Sequence, residues 1–308
     1  MECIRCLMDS RFPGVELSED GLCNICHQEE VSPPDYEKLN LLTLDYLRDL
    51  ETRHSTAVLG LSGGKDSCAS LVWLRRHCPG LNIRAVSVDN GFLSRSALAN
   101  AERVVSRAGV PWEVIDAPLP KEAMDAVSRG VNYCVPCAHS YVRVLAARAI
   151  EMGCGTVILG REWLYAFDET ANRIVHYDPV HDSEPYTGLK GISIVRLVAA
   201  LGLSIRERMV LLEGSGWVKP DLPSNTNCLL LGLIVHKFAA RHGYHPFILP
   251  LSEQVRRGLL TAEEARVLLK DRAISSSAWK EFRARFAELY PNAASLPGWI
   301  RALLPERS

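Results

Sequence analysis

The run Thr56-Ala57-Val58-Leu59-Gly60-Leu61-Ser62-Gly63-Gly64-Lys65-Asp66-Ser67 constrains this chain more than any other stretch. Thr56 to Leu61 is a short apolar segment of the kind that forms a strand buried on both faces of a parallel sheet. Ser62, Gly63 and Gly64 then make a polar turn, and from Asp66 onward the apolar spacing becomes helical, with Leu71, Val72 and Leu74 facing the sheet. A strand, a glycine turn and a helix start leave several backbone N–H groups unpaired around one point, and such a point suits an anion. Gly63 and Gly64 let the backbone approach closely, Lys65 brings a positive charge, and Ser62 and Ser67 bring hydroxyls. The spacing is neither that of a P-loop, G-x-x-x-x-G-K-[ST], nor that of a dinucleotide fingerprint.

SGGKDS at 62–67, set directly after a strand, resembles the signature of the PP-loop (N-type) ATP pyrophosphatases. The resemblance implies an α/β fold, a Rossmann-like doubly wound parallel sheet of the adenine nucleotide alpha hydrolase type. It also implies ATP cleaved between its α and β phosphates, with AMP passed to a substrate oxygen. Ser62, Gly63, Gly64, Lys65, Asp66 and Ser67 would hold the pyrophosphate portion, Lys65 would stabilise its departing charge, and Asp66 would hold Mg²⁺ or organise the loop.

Ile83 to Val88 reads as a second strand, ending in Asp89-Asn90-Gly91, and Thr156 to Leu159 as a fourth, ending in Gly160-Arg161-Glu162. Ligands of doubly wound sheets lie beyond the carboxyl ends of the strands, so these tips share one crevice with Gly63 and Gly64. The resemblance places adenosine near the second strand tip, against the backbone of Val88 or Asp89, and matches the family's strand-end glycine to Gly160. Many members follow that glycine with histidine; this chain has Arg161, which suits a phosphate or another substrate anion.

Ten cysteines read as metal ligands or reactive thiols rather than disulfides. Cys3, Cys6, Cys23 and Cys26 form C-x2-C-x16-C-x2-C, and four thiolates in two close pairs suit tetrahedral Zn²⁺, with an iron–sulfur cluster as the rival. So few apolar residues surround them that this piece should depend on its metal to fold. Cys134 and Cys137 precede a helix predicted from Ala138 to Met152, and Cys228 follows far downstream at the start of another. Three thiolates so placed suit a [4Fe–4S] cluster with one open iron, or a persulfide and a resolving thiol. Cys68, Cys78 and Cys154 are isolated.

With 308 residues, 47% hydrophobic and 23% charged, the chain should be globular. A formal net charge of −1 gives it no global attraction to nucleic acid. It has no run of apolar residues long enough for a membrane span, and its opening MECIRC does not read as a secretion signal, so a cytoplasmic location is expected. Three regions follow: a four-cysteine zinc module at 1–32, a PP-loop domain at 33–190, and a helical region at 191–308 completing the active site. The stretch 161–190 reads as a long substrate-binding loop whose His176, Asp178, His181 and Asp182 are solvated, and helices are predicted over 192–201 and 204–212.

Cys134, Cys137 and Cys228 together with SGGKDS resemble the cluster-dependent tRNA thiolases of the same group. That resemblance implies ATP activation of a carbonyl oxygen, its replacement by sulfur, and a sulfur donor or sulfur-carrier protein as partner. The two ends of the chain resemble instead the N-acetyl sugar amidotransferases, through FPGVELSEDGLCNIC and through Arg257, Gly258, Thr261, Glu263, Glu264 and Ala265. That second resemblance implies ammonia from a glutaminase partner, and the Cys134/Cys137 pair has no counterpart in it. The shared first half-reaction is an adenylation; sulfur transfer, ammonia transfer and a non-enzymatic nucleotide-binding module remain open for the rest. The substrate class stays equally open between a small metabolite, sugar or nucleobase and a tRNA, and a homodimer is compatible with either.

Overall fold

Five neighbouring strands run parallel because each is returned to the same edge by a crossover, and the crossovers lie on both faces of the sheet. The computed structural model describes residues 1–31, 35–162, 164–168, 173–176, 178–220, 227–270 and 275–290. After the cysteine-rich opening come α1 (Asn24–Val31) and α2 (Tyr36–Thr52), the latter capped by the Asp35 carboxylate accepting from the Lys38 N–H. The nucleotide-type half follows as β1 (Thr56–Gly60), α3 (Lys65–His77), β2 (Asn82–Asp89), α4 (Arg95–Ala108), β3 (Trp112–Asp116), α5 (Lys121–Ser128), α6 (Cys134–Glu151) and β4 (Thr156–Leu159).

Next are the hairpin β5 (Tyr165–Asp168) and β6 (Arg173–His176), then β7 (Val180–Asp182), α7 (Glu184–Thr187) and β8 (Ser193–Arg196). Helices α8 (Leu197–Leu201), α9 (Ile205–Leu212), α10 (Leu231–His242), α11 (Ile248–Arg256), α12 (Ala262–Lys270) and α13 (Ser276–Leu289) complete the described chain. The sheet order is β3-β2-β1-β4-β8-β7, with only edge strand β7 antiparallel to its neighbour.

The alternation of side chains along β1 divides the core. Leu59 packs with Leu71 and Leu74 of α3, Val104 of α4 and Leu212 of α9, while Val58 packs with Val142, Leu145 and Ala149 of α6 on the other face. Burying each such aliphatic side chain is worth about 1.5–3 kcal/mol. A third apolar cluster joins Phe92 just beyond β2 to Met124 of α5, Leu233 of α10 and Trp279, Phe282 and Phe286 of α13. The doubly wound sheet, the four-cysteine opening and the helical C-terminal region are therefore as expected.

Three local expectations change. The predicted helix over 192–201 is split: Ser193–Arg196 is a strand and only Leu197–Leu201 is helical. Ile194 and Val195 are β-branched and pair with Val157 and Ile158 of β4, so the sheet edge claims the first half of an apolar run that periodicity could not assign. The stretch 161–190 is not structureless, since it holds β5, β6, β7 and α7. Helix α6 begins at Cys134 rather than Ala138, which places Cys134 and Cys137 inside its first turn. Pro136 is tolerated there because a first-turn N–H has no intrahelical acceptor to lose.

Candidate functional site

The loop from Ser62 to Ser67 turns sharply between β1 and α3. Gly63 has φ +73°, and a Cβ there would sit 1.9 Å from the Ala97 carbonyl oxygen in the first turn of α4. Only glycine meets both demands. Gly64 is the cap residue of α3 and makes no side-chain cap bond. The Ser62 N–H donates to the Ser67 Oγ at 3.1 Å, the two hydroxyl oxygens lie 3.1 Å apart, and Ser67 Oγ donates to the Gly64 carbonyl at 3.3 Å. These bonds close the turn on itself and leave its rim as the start of a helix, where anions are favoured.

Behind the loop sits a buried ion network. Lys65 Nζ is 3.0 Å from Asp66 Oδ2 and 3.9 Å from Glu162 Oε2. Arg208, reaching in from α9, is 0% exposed and donates through Nη1 to Asp66 Oδ1 and, at 2.5 Å, to Glu162 Oε2. Burial pushes the Asp66 carboxyl up, but Lys65 and Arg208 beside it outweigh that and hold it below the usual carboxylate range. Burial alone would lower the Arg208 guanidinium; its two carboxylates raise it instead. Both Asp66 oxygens are thus engaged by cations, the geometry of a residue that organises the loop. Direct metal coordination by Asp66 would require one of those pairs to open.

The residues at the strand tips have different partners. A Cβ on Gly160 would lie 2.6 Å from the Ser67 backbone nitrogen, so this glycine lets the first turn of α3 approach the end of β4. Asp89, at the end of β2 beside the buried Val88, accepts through Oδ1 from the Gly91 N–H at 2.8 Å and the Leu93 N–H at 3.3 Å, and its own carbonyl accepts from the Ala117 N–H at 2.8 Å. Asn90 turns toward the thiols. Its Oδ1 is fixed by the Phe92 N–H at 2.9 Å, which aims Nδ2 at Cys137 Sγ (3.5 Å) and Cys228 Sγ (3.8 Å).

Cys134 and Cys137 are three residues apart in the first turn of α6 and so share one helix face. Cys228 is brought to them by an antiparallel bridge with Leu93, flanked by Ser94 N–H to Asn227 O and Leu229 N–H to Phe92 O, each 2.8 Å. Burial pushes all three thiols up, Cys228 to about 11, and the positive charge of Arg161 offsets part of that rise at Cys134 and Cys137. Cys134 and Cys137 thus lie on α6 and Cys228 in the bridged segment before α10, with the Asn90 amide reaching Cys137 and Cys228. Unlike the four N-terminal thiols, this trio does not bring its sulfurs within 4.8 Å of one another.

The sulfurs of Cys3, Cys6, Cys23 and Cys26 all lie within 4.8 Å of one another and are buried, the closest pairs being Cys6–Cys23 at 3.6 Å and Cys3–Cys26 at 3.7 Å. Among the described residues no other group of three or more metal-ligating side chains meets that spacing. The four thiols form a metal-binding site whose sulfurs suffice for a closed tetrahedral shell. Around it Met8, Phe12 and Ile25 pack against Tyr244, between α10 and α11, and Ile248 and Leu249 of α11, and Arg256 of α11 meets Glu29 of α1 at 2.8 Å. On the same α11, Glu253 is fully buried, accepts from the Leu164 N–H at 3.3 Å, and is pushed by burial up to about 8.

Arg208, Trp217 and Asn227 were not singled out in the sequence. Trp217 Nε1 donates to the Gly63 carbonyl at 3.1 Å and Asn227 Nδ2 to the Ser62 carbonyl at 3.3 Å, so both touch the loop directly. The turn-rich stretch GSGWVKPDLPSNTNC carried the only hint, an aromatic and an amide set among small residues just before Cys228.

No family model matches the chain. An uncharacterized protein of Methanocaldococcus jannaschii is 28% identical over 290 residues, spanning 92% of this chain and 99% of that one. At the level of superfamily, the chain resembles the PP-loop ATP pyrophosphatases. Two solved structures are similar at low scores. The U34-tRNA thiolase NcsA from Methanococcus maripaludis, described with its [4Fe–4S] cluster, has 16% identity and a TM-score of 0.42 over 99% of this chain and 97% of that one. NMN synthetase from Francisella tularensis has 15% identity and a TM-score of 0.36 over 89% of this chain and 100% of that one. Neither score carries a reaction over to this PP-loop-like chain. No described helix is long and apolar enough to cross a membrane.

Proposed function

We propose that the chain is an ATP-dependent sulfurtransferase that adenylates a substrate carbonyl or amide oxygen and replaces it with sulfur. The observation that supports this most is the chain of contacts between the phosphate loop and the thiols. Asn227, next to Cys228, bonds the Ser62 carbonyl, and Asn90, just past β2, reaches Cys137 and Cys228.

In the first half-reaction the substrate oxygen attacks the α phosphorus of ATP and the bond to the β-phosphate oxygen breaks. The N–H groups of Gly63 and Gly64 and the start of α3 face the charge that grows on pyrophosphate. Lys65 leaves its pairing with Asp66 and Glu162 to meet that charge, while Arg208 keeps one cation between the two carboxylates. Asp66 would hold, through water, the Mg²⁺ that accompanies the triphosphate. In the second half-reaction hydrosulfide attacks the activated carbon, and AMP leaves with the original oxygen. The exchange is redox-neutral.

Cys134, Cys137 and Cys228 would hold a [4Fe–4S] cluster, which when bound supplies an iron that can carry hydrosulfide. The charge of Arg161, which acts on Cys134 and Cys137, would offset that of an incoming sulfur anion. Cys3, Cys6, Cys23 and Cys26 would hold structural Zn²⁺. Val88 and Asp89 line the adenosine side, and Gly160 seats α3 so that the loop faces the crevice.

A second reading, ammonia transfer to an N-acetyl sugar, has one observation in its favour. The two stretches that carry that resemblance pack on each other, with Leu7 of the opening against Leu251, Leu260 and Ala265 of the C-terminal region. Anaerobic purification with iron, acid-labile sulfide and zinc measured together separates the readings. One zinc and about four irons, with only the irons lost in a C134A/C137A/C228A variant, supports sulfur transfer. Iron-free protein active with ammonia and inert with sulfide rejects it. Lys65→Ala should abolish pyrophosphate release while leaving the metal content unchanged; normal turnover in that variant rejects the role given to the loop.

A further inference from the structure

Two carbonyl groups of the phosphate loop are tied from outside. Asn227 Nδ2 donates to Ser62 O and Trp217 Nε1 donates to Gly63 O. In a trans peptide the C=O and the following N–H point in opposite directions. Holding the Ser62 and Gly63 carbonyls outward therefore turns the Gly63 and Gly64 N–H groups to the inner side of the loop. Among the described residues no protein group accepts from those two N–H groups.

The ties themselves are anchored. Residues 214–218 are held on α4: Arg107 donates to the Gly214 carbonyl, Arg103 Nε to the Gly216 carbonyl at 2.8 Å, and the Asn100 amide takes both the Val218 carbonyl (2.8 Å) and the Val218 N–H (2.9 Å). Asn227 is held on the other side, its carbonyl accepting from the Ser94 N–H at 2.8 Å. Asn227 therefore bonds the loop with its side chain while its backbone carries Cys228 on the next position. Cys228 in turn shares Asn90 with Cys137.

We infer that Asn227 is a positioning residue that couples occupancy of the phosphate loop to the placement of the Cys228 thiol. An anion that draws the Gly63 N–H inward reorients the peptide whose carbonyl Asn227 holds. That displacement reaches Cys228 through a single residue and Cys137 through Asn90. The arrangement sets the thiol site for the second half-reaction only when a nucleotide occupies the first. The inference rests on the nucleotide reading of the loop proposed above.

Hydrogen exchange read by mass spectrometry on the full chain tests it, with α,β-methylene-ATP as the probe. In the parent, the nucleotide should slow exchange in the 62–67 peptide and change exchange in the 227–231 peptide by at least about fivefold. In Asn227→Ala and in the isosteric Asn227→Asp, which lacks the amide donor, the 62–67 peptide should still be protected. The change at 227–231 should then fall below about twofold. A purely structural asparagine would raise exchange at 227–231 with and without nucleotide and leave the ratio intact. An intact ratio in both variants overturns the coupling and spares the nucleotide reading. So does a parent whose 62–67 peptide is protected while 227–231 does not respond. A parent that shows no protection at 62–67 with any nucleotide overturns both.

Discussion

Arg208 is a charged side chain with no solvent contact, placed between two carboxylates at the root of the phosphate loop. Removing one partner of a buried pair costs about 3–5 kcal/mol, because the other charge is left uncompensated. Arg208→Leu should therefore lose about that much stability in urea denaturation, and Arg208→Lys less, since it keeps the charge and loses the fork. A loss below about 0.5 kcal/mol, ordinary for a surface change, would mean that the network is not holding the loop. The pH dependence follows from Asp66, whose folded carboxyl is held below its unfolded value of about 3.9. Its contribution is fully present above that value and is lost as pH falls through the folded one, so Arg208→Leu should flatten the acid limb of the stability curve. Lys65 and Asp66 were legible in the sequence because they stand in a motif tied to backbone geometry. Arg208 was not. In IRERMVLL it is one of two arginines in a short amphipathic helix, and only the tertiary position of α9 against α3 buries one and exposes the other.

At the scale of elements, the seat of α3 on β4 is the contact that aims the loop. Gly160 allows it, and a methyl group there would meet the backbone of Asp66 and Ser67, which cannot rotate away. Gly160→Ala should destabilise by about 1–3 kcal/mol, the usual cost of overpacking. It should also raise the KM for ATP in pyrophosphate release, because α3 must back away from the crevice. Unchanged stability and KM would show that the first turn of α3 has room to shift. The sequence placed Gly160 at a strand end; its close approach to α3 depends on how two elements far apart in the chain pack, which no local pattern carries. Strand β8 failed for a related reason. Ile194 and Val195 followed by Leu197, Val198, Ala199 and Ala200 form one apolar run, and pairing with β4 decides where strand yields to helix. The four-cysteine spacing and the β1–loop–α3 unit were legible because each is set within its own stretch of chain.

At the scale of the molecule, the question is whether the cysteine opening is a separate piece. Its four sulfurs sit in the same apolar cluster as Phe12 and Ile25 from the opening and Tyr244, Ile248 and Leu249 from the far end of the chain. The buried Arg256–Glu29 pair crosses the same seam, and the neighbouring Glu253 on α11 reaches the backbone at Leu164, just past the β4 tip that carries Arg161 and Glu162. A metal lost from the four thiols would therefore loosen α11 as well as the opening. Metal-dependent folding energy in four-ligand sites is large, so several kcal/mol should go with it, a Tm drop on the order of 10 °C for a chain of this size. Calorimetry of the purified protein with and without a zinc-selective chelator, repeated on Cys23→Ser, measures this. One transition that moves down as a whole is the outcome the shared core requires, together with faster proteolysis within 244–260. Two transitions, with only the lower one sensitive to the chelator, would mean that the opening folds by itself and that the apolar seam adds little to the cooperativity of the rest.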